Sequence, residues 1–251
     1  SAYLSFGQSA VRGLDHDCPL VRGSADTVAA HADPLDLTRM RLEAPYQGQE
    51  LWWMPAEAAA PDGPREMLVP GQLVSLFCNL DEQQLCSALG STGLASGNTR
   101  AEARLAGLLE ALERDAHATI PYHPGRCFRL AADDERIAAL LAGYEDCGIH
   151  VWFLDLTGEF GVPCYKAVVL GAHGDVNQGT GAGLDARSAL VSAMLEVPYP
   201  FPGPAGNQPP EGLPQRRLED LPDHSTGSAE SDLLVLEATL HAHGYEPVYA
   251  D

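Results

Sequence analysis

The sequence predicts an α+β fold of mixed layers, with helices packed on a mixed or antiparallel sheet. Runs rich in Trp, Val and Leu alternate with segments of helical period along the chain. Two of the apolar runs, 149–156 and 162–170, are separated by ThrGlyGluPheGlyVal, whose composition reads as the turn of a hairpin. At 251 residues the chain can bury a real core, and a single domain over 1–251 is the simplest expectation.

The elements follow in order. Residues 1–48 carry mixed Gly, Pro and Asp signals and read as irregular. Glu50 to Met54 and Met67 to Phe77 read as strands. A loop holding Cys86 leads into a glycine-rich turn, and a helix follows from 99 to 118, closed by Pro121 and Pro124. A second helix covers 133–147, capped by Asp133 or Asp134 and followed by Gly148. After the hairpin, 171–183 reads as a glycine-rich turn that leads to a helix from Ala186 to Glu196. The Pro- and Gly-rich stretch 198–231 reads as an exposed, flexible loop. A last helix covers 231–243, stopped by Gly244, with a strand from Glu246 to Ala250.

Charge and composition exclude several function classes. The net charge is −20, and Lys166 is the only lysine. Such a surface argues against nucleic-acid binding and against anionic membranes. No apolar run reaches spanning length and nothing resembles a signal peptide. The six cysteines show no C-x-x-C pairing and read as reduced thiols of a cytoplasmic protein.

The chemistry concentrates between Gly90 and His117. At roughly 100° per residue, with Glu102 as zero, Glu113 falls near ~20°, Glu110 near ~80° and Arg114 near ~120°. Leu105, Leu108, Leu109 and Leu112 form one apolar stripe, and the carboxylates sit together beside it. Gathered carboxylates suit a hard cation such as Mg2+, and an adjacent Arg suits phosphate. Gly93, Gly97 and Asn98 allow close backbone approach before the helix, where N–H groups favour anions. The plainer alternative is that Thr99-x-x-Glu102 is a capping box and that Glu110 and Glu113 are solvated surface.

SerThrGlyLeuAlaSerGlyAsnThr over 91–99, Glu102-Ala-Arg, and Glu110-x-x-Glu113-Arg114 together resemble, without a gap, the signature of the YcaO family. The strand 165–170, the glycine turn and the helix ending in Glu196 extend the resemblance, which is specific over 90–196. It implies an ATP- and Mg2+-dependent protein that phosphorylates a peptide-backbone amide oxygen. A neighbouring Cys, Ser or Thr then gives an azoline as in a cyclodehydratase, and external sulfide gives a thioamide. One branch is an accessory in ribosomal protein methylthiolation. Carried over, Asn98, Glu102 and Arg114 would contact nucleotide and phosphate, and Glu102, Glu110, Glu113 and Glu196 would face the metal. The partner would be a peptide or protein substrate, with room for a second protein that delivers it and for a homodimer.

The chain also departs from the family pattern. It has one E-x-x-E-R where the family has an earlier second one, Ser192 where a phosphate-binding Arg is expected, and Ala95 in place of a serine. It therefore reads as a fragment, incomplete at both ends, or as a reduced homologue. The alternative function is a catalytically degenerate scaffold or accessory that binds a peptide or partner. Other candidates are weaker. The glycine run 171–183 lacks G-x-G-x-x-G spacing and a following G-K-[ST]. His173 beside Asp175 has no nucleophile motif. His241 and His243 are read as helix-end contacts, and Trp52 and Trp53 as sheet packing.

Overall fold

The computed structural model describes residues 20–40, 42–74, 81, 85, 91–170, 175–197 and 210–250. The strands among them are β1 (Val21–Gly23), β2 (Asp33–Pro34), β3 (Leu51–Ala60), β4 (Gly63–Pro70), β5 (Cys127–Ala131), β6 (His150–Asp155), β7 (Cys164–Leu170), β8 (Val176–Ala182), β9 (Gln215–Arg217) and β10 (Val248–Tyr249). The longer helices are α1 (Arg100–Thr119), α2 (Glu135–Asp146), α3 (Ala186–Leu195) and α4 (Ala229–Ala242). This is the expected α+β architecture. The contacts divide the chain into one unit of residues 1–107 with 237–251 and a second of 108–236.

In the first unit β3 and β4 pair as a long antiparallel hairpin, from Trp53↔Pro70 to Ala60↔Gly63. The strands expected at 50–54 and 67–77 are the two arms of this one hairpin, and the second ends at Pro70. The turn signal was Pro61-Asp62-Gly63, whose glycine takes φ 124°. After β4 the chain makes a single helical turn, Gly71–Val74, and the rest of the expected strand lies outside the described residues. Strand β1 pairs along Leu51–Trp53, and β10 pairs along Glu57 and Ala58 of the same β3. Strand period sends Trp53 inward, fully buried among Val28, Leu37, Leu51 and Leu68, with its indole N–H donating to the Gly23 carbonyl at 2.9 Å. Trp52 points the other way, under the Arg22 guanidinium at 5.8 Å.

The second unit holds a sheet of order β8-β7-β6-β5-β9, antiparallel except for the parallel β5–β9 pair. The predicted hairpin is β6–β7. One face carries Phe128, Phe153, Tyr165 and Ala167, packed against Ile137 of α2 and Ala186, Ala189, Leu190, Ala193 and Met194 of α3. The other face carries Cys127, Trp152, Leu154, Cys164 and Val168, packed with Ala116 of α1. Helix α2 begins as predicted at Asp134, whose carboxylate accepts from the N–H groups of Arg136 and Ile137.

Two readings of the sequence are corrected here. Residues 176–182, expected within a glycine-rich turn, form strand β8. The glycines serve packing. A Cβ at Gly179 would lie 2.4 Å from the Ala193 carbonyl oxygen, and one at Gly181 would lie 2.4 Å from that of Ala189. Helix α3 therefore rests directly on the β8 backbone, a contact any side chain would prevent. The stretch expected as loop over 198–231 supplies β9 from residue 215, while 198–209 lie outside the described residues.

Candidate functional site

At the start of α1 the capping box is formed. The Glu102 carboxylate accepts from the N–H of Asn98 at 2.6 Å and of Thr99 at 3.2 Å, and the Glu102 N–H donates to the Thr99 hydroxyl at 3.2 Å. Close approach at two glycines sets this turn. A Cβ at Gly97 would meet Glu102 at 2.6 Å, and one at Gly107 would meet the Gly93 carbonyl oxygen at 2.7 Å. Glu102 caps the helix, and the Asn98 backbone is one of the groups it holds.

Farther along α1 the carboxylates gather. Arg114 pairs with Glu110 one turn back at 2.6 Å. Glu113 accepts a 2.5 Å hydrogen bond from the Thr180 hydroxyl of β8. Glu196, the C-cap of α3, stands beside them. Its carboxyl is pushed above the usual range by partial burial first and then by the charges of Glu113 and Glu110; Arg114 and the Thr180 N–H oppose the rise. Thr180 thus addresses two carboxylates, through its hydroxyl and its backbone N–H. The glycine contacts on either side of it bring the end of α3 to this edge.

One helical turn beyond Glu113, His117 Nε2 lies 2.9 Å from the Lys166 ammonium. Burial, then the Lys166 charge, lowers the His117 pKa against a smaller pull from Glu113, so the imidazole is neutral at pH 7 and accepts the bond. Lys166 sits on β7 directly opposite Thr180 of β8. It lies on the α1-covered face, between Cys164 and Val168. The Cys164 thiol is pushed up to about 12 by burial first and then by Glu113 and Asp155, which makes it inert.

The structure therefore brings together Glu110, Glu113, Arg114 and Glu196. Asn98 and Glu102 stay at the capping box at the head of the helix, within the first unit. Among the described residues no three His, Cys, Asp or Glu side chains converge into a ready metal cage. Sequence reasoning missed Thr180, His117 and Lys166. His117 was within reach, because it falls near ~60° on the α1 wheel, between Glu113 and Glu110. Thr180 and Lys166 needed the β7–β8 register. His173 lies outside the described residues. His243 Nδ1 donates to the Thr239 carbonyl of α4, 2.8 Å away, whereas His241 Nε2 donates to the Ala59 carbonyl of β3. Among the described residues no helix is long and apolar enough to cross a membrane.

Comparison with known proteins gives the following. A heterocyclase in complex with substrate and cofactor superimposes with a TM-score of 0.71 at 19% identity, over 92% of this chain and 38% of that one. YcaO from Methanopyrus kandleri bound with AMPPCP and Mg2+ gives 0.62 at 21% identity, over 91% and 64%. These likenesses establish the fold. An uncharacterized protein of Methanothermobacter thermautotrophicus is 34% identical over 158 residues, 59% of this chain and 40% of its own length. An uncharacterized protein in the tfuA 3′ region of Rhizobium leguminosarum bv. trifolii is 38% identical over 86 residues, 32% and 20% of the two chains. The chain thus spans about two fifths of the first of these relatives or less. The profile of the YcaO cyclodehydratase family, ATP- and Mg2+-binding, matches residues 8–198, well over half of the sequence, and the chain belongs to the YcaO family.

Proposed function

We propose that this chain takes part in ATP- and Mg2+-dependent activation of a peptide-backbone amide, as a peptide-modifying member of its family. One observation carries the reading: Thr180 bonds Glu113 and Glu196, and the Glu110–Arg114 pair is close enough for both charges to act on Glu196. Three carboxylates and a hydroxyl are hard oxygen donors, which suit Mg2+ over softer metals. Mg2+ needs only one or two carboxylates when phosphate oxygens and waters complete its shell. The residues fit an ion that arrives with a nucleotide. The relative bound with AMPPCP and Mg2+ supports the same pairing of ligands.

Glu110, Glu113 and Glu196 would hold the metal, and Arg114 would contact phosphate once a cation releases it from Glu110. Asn98 and Glu102 would meet the nucleotide from the head of α1. Bound Mg·ATP supplies the phosphoryl group for the amide oxygen, and phosphoryl transfer asks the protein mainly for position and charge neutralisation. Thr180 contributes position by orienting Glu113 with its hydroxyl and restraining Glu196 with its N–H. The nucleophile that follows, a Cys, Ser or Thr side chain or external sulfide, decides between azoline and thioamide. The peptide would come alone or on a partner protein. Peptide-stimulated ATP turnover tests the reading. Glu113→Gln is expected to lower it at least ~100-fold, as removal of a transition-state charge contact does. Unchanged turnover in that variant overturns the site.

A second reading has two observations in its favour. The Glu102 carboxylate is committed to the cap, and Ser192 stands where the family resemblance expects an Arg. Under it the chain is a scaffold that binds a peptide or partner without turnover. Peptide binding that persists in full when ATP binding is absent decides for the scaffold.

A further inference from the structure

We propose that Lys166 reaches the phosphates of the bound nucleotide, making the chain's one lysine a binding residue of the carboxylate site, with His117 as the residue that positions it. The inference rests on the assignment of ATP to that site and adds a cation that the helix motif does not contain.

Four observations carry it. Lys166 is the only lysine in a chain of net charge −20. It stands on β7 opposite Thr180, the residue that holds Glu113. It is half-buried on the face covered by α1, among Cys164, Val168 and Ala116. Among the described residues its ammonium pairs with no carboxylate; its hydrogen bond goes to His117 at 2.9 Å. A lysine placed only to neutralise Glu110, Glu113 or Glu196 would close an ion pair with one of them. This one instead donates to a neutral ring, which takes one of three N–H bonds and leaves the full charge uncompensated. A desolvated cation without an anion is costly, and the burial that lowers the Lys166 pKa reports that cost. An anion arriving beside Thr180 relieves it. Phosphate is the chemistry that fits, because Mg2+ on the neighbouring carboxylates would share the same ligand.

The geometry also gives His117 a defined task. Helix α1 holds it at i+4 from Glu113, so the ring fixes the ammonium one helical turn from the metal-facing carboxylate. Without that acceptor the four-carbon stem is free to turn toward solvent.

A single lysine makes the test direct. An acyl-phosphate derivative of ATP transfers its acyl group to an amine near the phosphates. The amine attacks the carbonyl, an amide bond forms, the acyl–phosphate bond breaks, and ATP departs as the amine loses a proton. With Mg2+ present, peptide mass spectrometry is expected to find the acyl group on Lys166 and to find it suppressed by excess ATP. In calorimetry Lys166→Gln is expected to weaken Mg·ATP about tenfold and Lys166→Arg to recover most of that loss. His117→Gln, which keeps an acceptor, is expected to retain labelling that His117→Leu loses, although both remove the imidazole. Wild-type binding of Mg·ATP with no acylation of Lys166 overturns the inference and leaves the carboxylate site standing, as does equal affinity in folded Lys166→Gln. Wild-type protein that binds no Mg·ATP overturns the nucleotide reading and this inference together. If Lys166→Gln fails to fold, the labelling of the wild-type chain decides.

Discussion

Thr180 contributes two hydrogen-bond donors to two different carboxylates, and a methyl in place of its hydroxyl separates them. Thr180→Val removes the donor to Glu113 and keeps the N–H that restrains Glu196. Hydrogen bonds to charged groups contribute ~1.5–3 kcal/mol, so Mg·ATP affinity measured by calorimetry is expected to fall about tenfold or more while the fold persists. Glu196 adds a pH signature. Its folded pKa is raised above 4.5, so the folded state binds the proton more readily than the unfolded chain does. Its contribution to stability is full below pH 4.5 and is lost as pH rises through its folded value. Glu196→Gln should flatten that part of the urea-midpoint profile, and identical profiles in the two proteins contradict the assignment. Only part of this neighbourhood is readable in the sequence. Glu110, Glu113 and Arg114 lie on one helix, where a 3.6-residue period brings them together. Thr180 and Lys166 come from paired strands and meet the helix through register, which no spacing along the chain encodes.

At the scale of elements, β8 and α3 form the second wall of the site because glycine allows them to touch. The carbonyls of Ala189 and Ala193 occupy the space where side chains at 181 and 179 would stand. Gly181→Ala must shift the helix, with an expected loss of about 2–4 kcal/mol in urea unfolding, at the upper end for an added methyl group. The same substitution displaces Glu196 from Thr180, so nucleotide binding should weaken more than stability alone explains. The α helices were legible because caps and periods mark them: Asp134 caps α2, Asp185 caps α3, and Gly148 and Gly244 take φ 71° and 82° beyond α2 and α4. Strand β8 was hidden because a strand that packs glycine against a helix loses the β-branched and aromatic residues that identify strands. Strand β5 went unread, and β9, three polar residues long, has no hydrophobic alternation to read.

For the whole molecule the governing quantity is charge. At −20 the chain repels free ATP, and among the described residues no three His, Cys, Asp or Glu side chains converge to hold a cation by themselves. Metal and nucleotide are therefore expected to bind as a couple. Calorimetry should find Mg2+ alone weaker than about millimolar, ATP alone undetectable at millimolar concentration, and the pair bound with an affinity neither component approaches. Tight Mg2+ binding without nucleotide would contradict this order. Strand β9 has a consequence of another kind. A sheet that ended at β5 would offer the open backbone groups of a strand containing Phe128 and Leu130, a template onto which another chain's strand can add. The short GlnArgArg segment takes those hydrogen bonds and places Arg216 and Arg217 along the rim. Arg216 lies over the Phe128 ring at 4.7 Å and pairs with Asp155, and Arg217 pairs with Asp133 and Glu219, so a short strand with ion-paired side chains stands where an incoming strand would add. A version cut before residue 215 would be expected to precipitate as fibrous or amorphous polymer, whatever became of its chemistry.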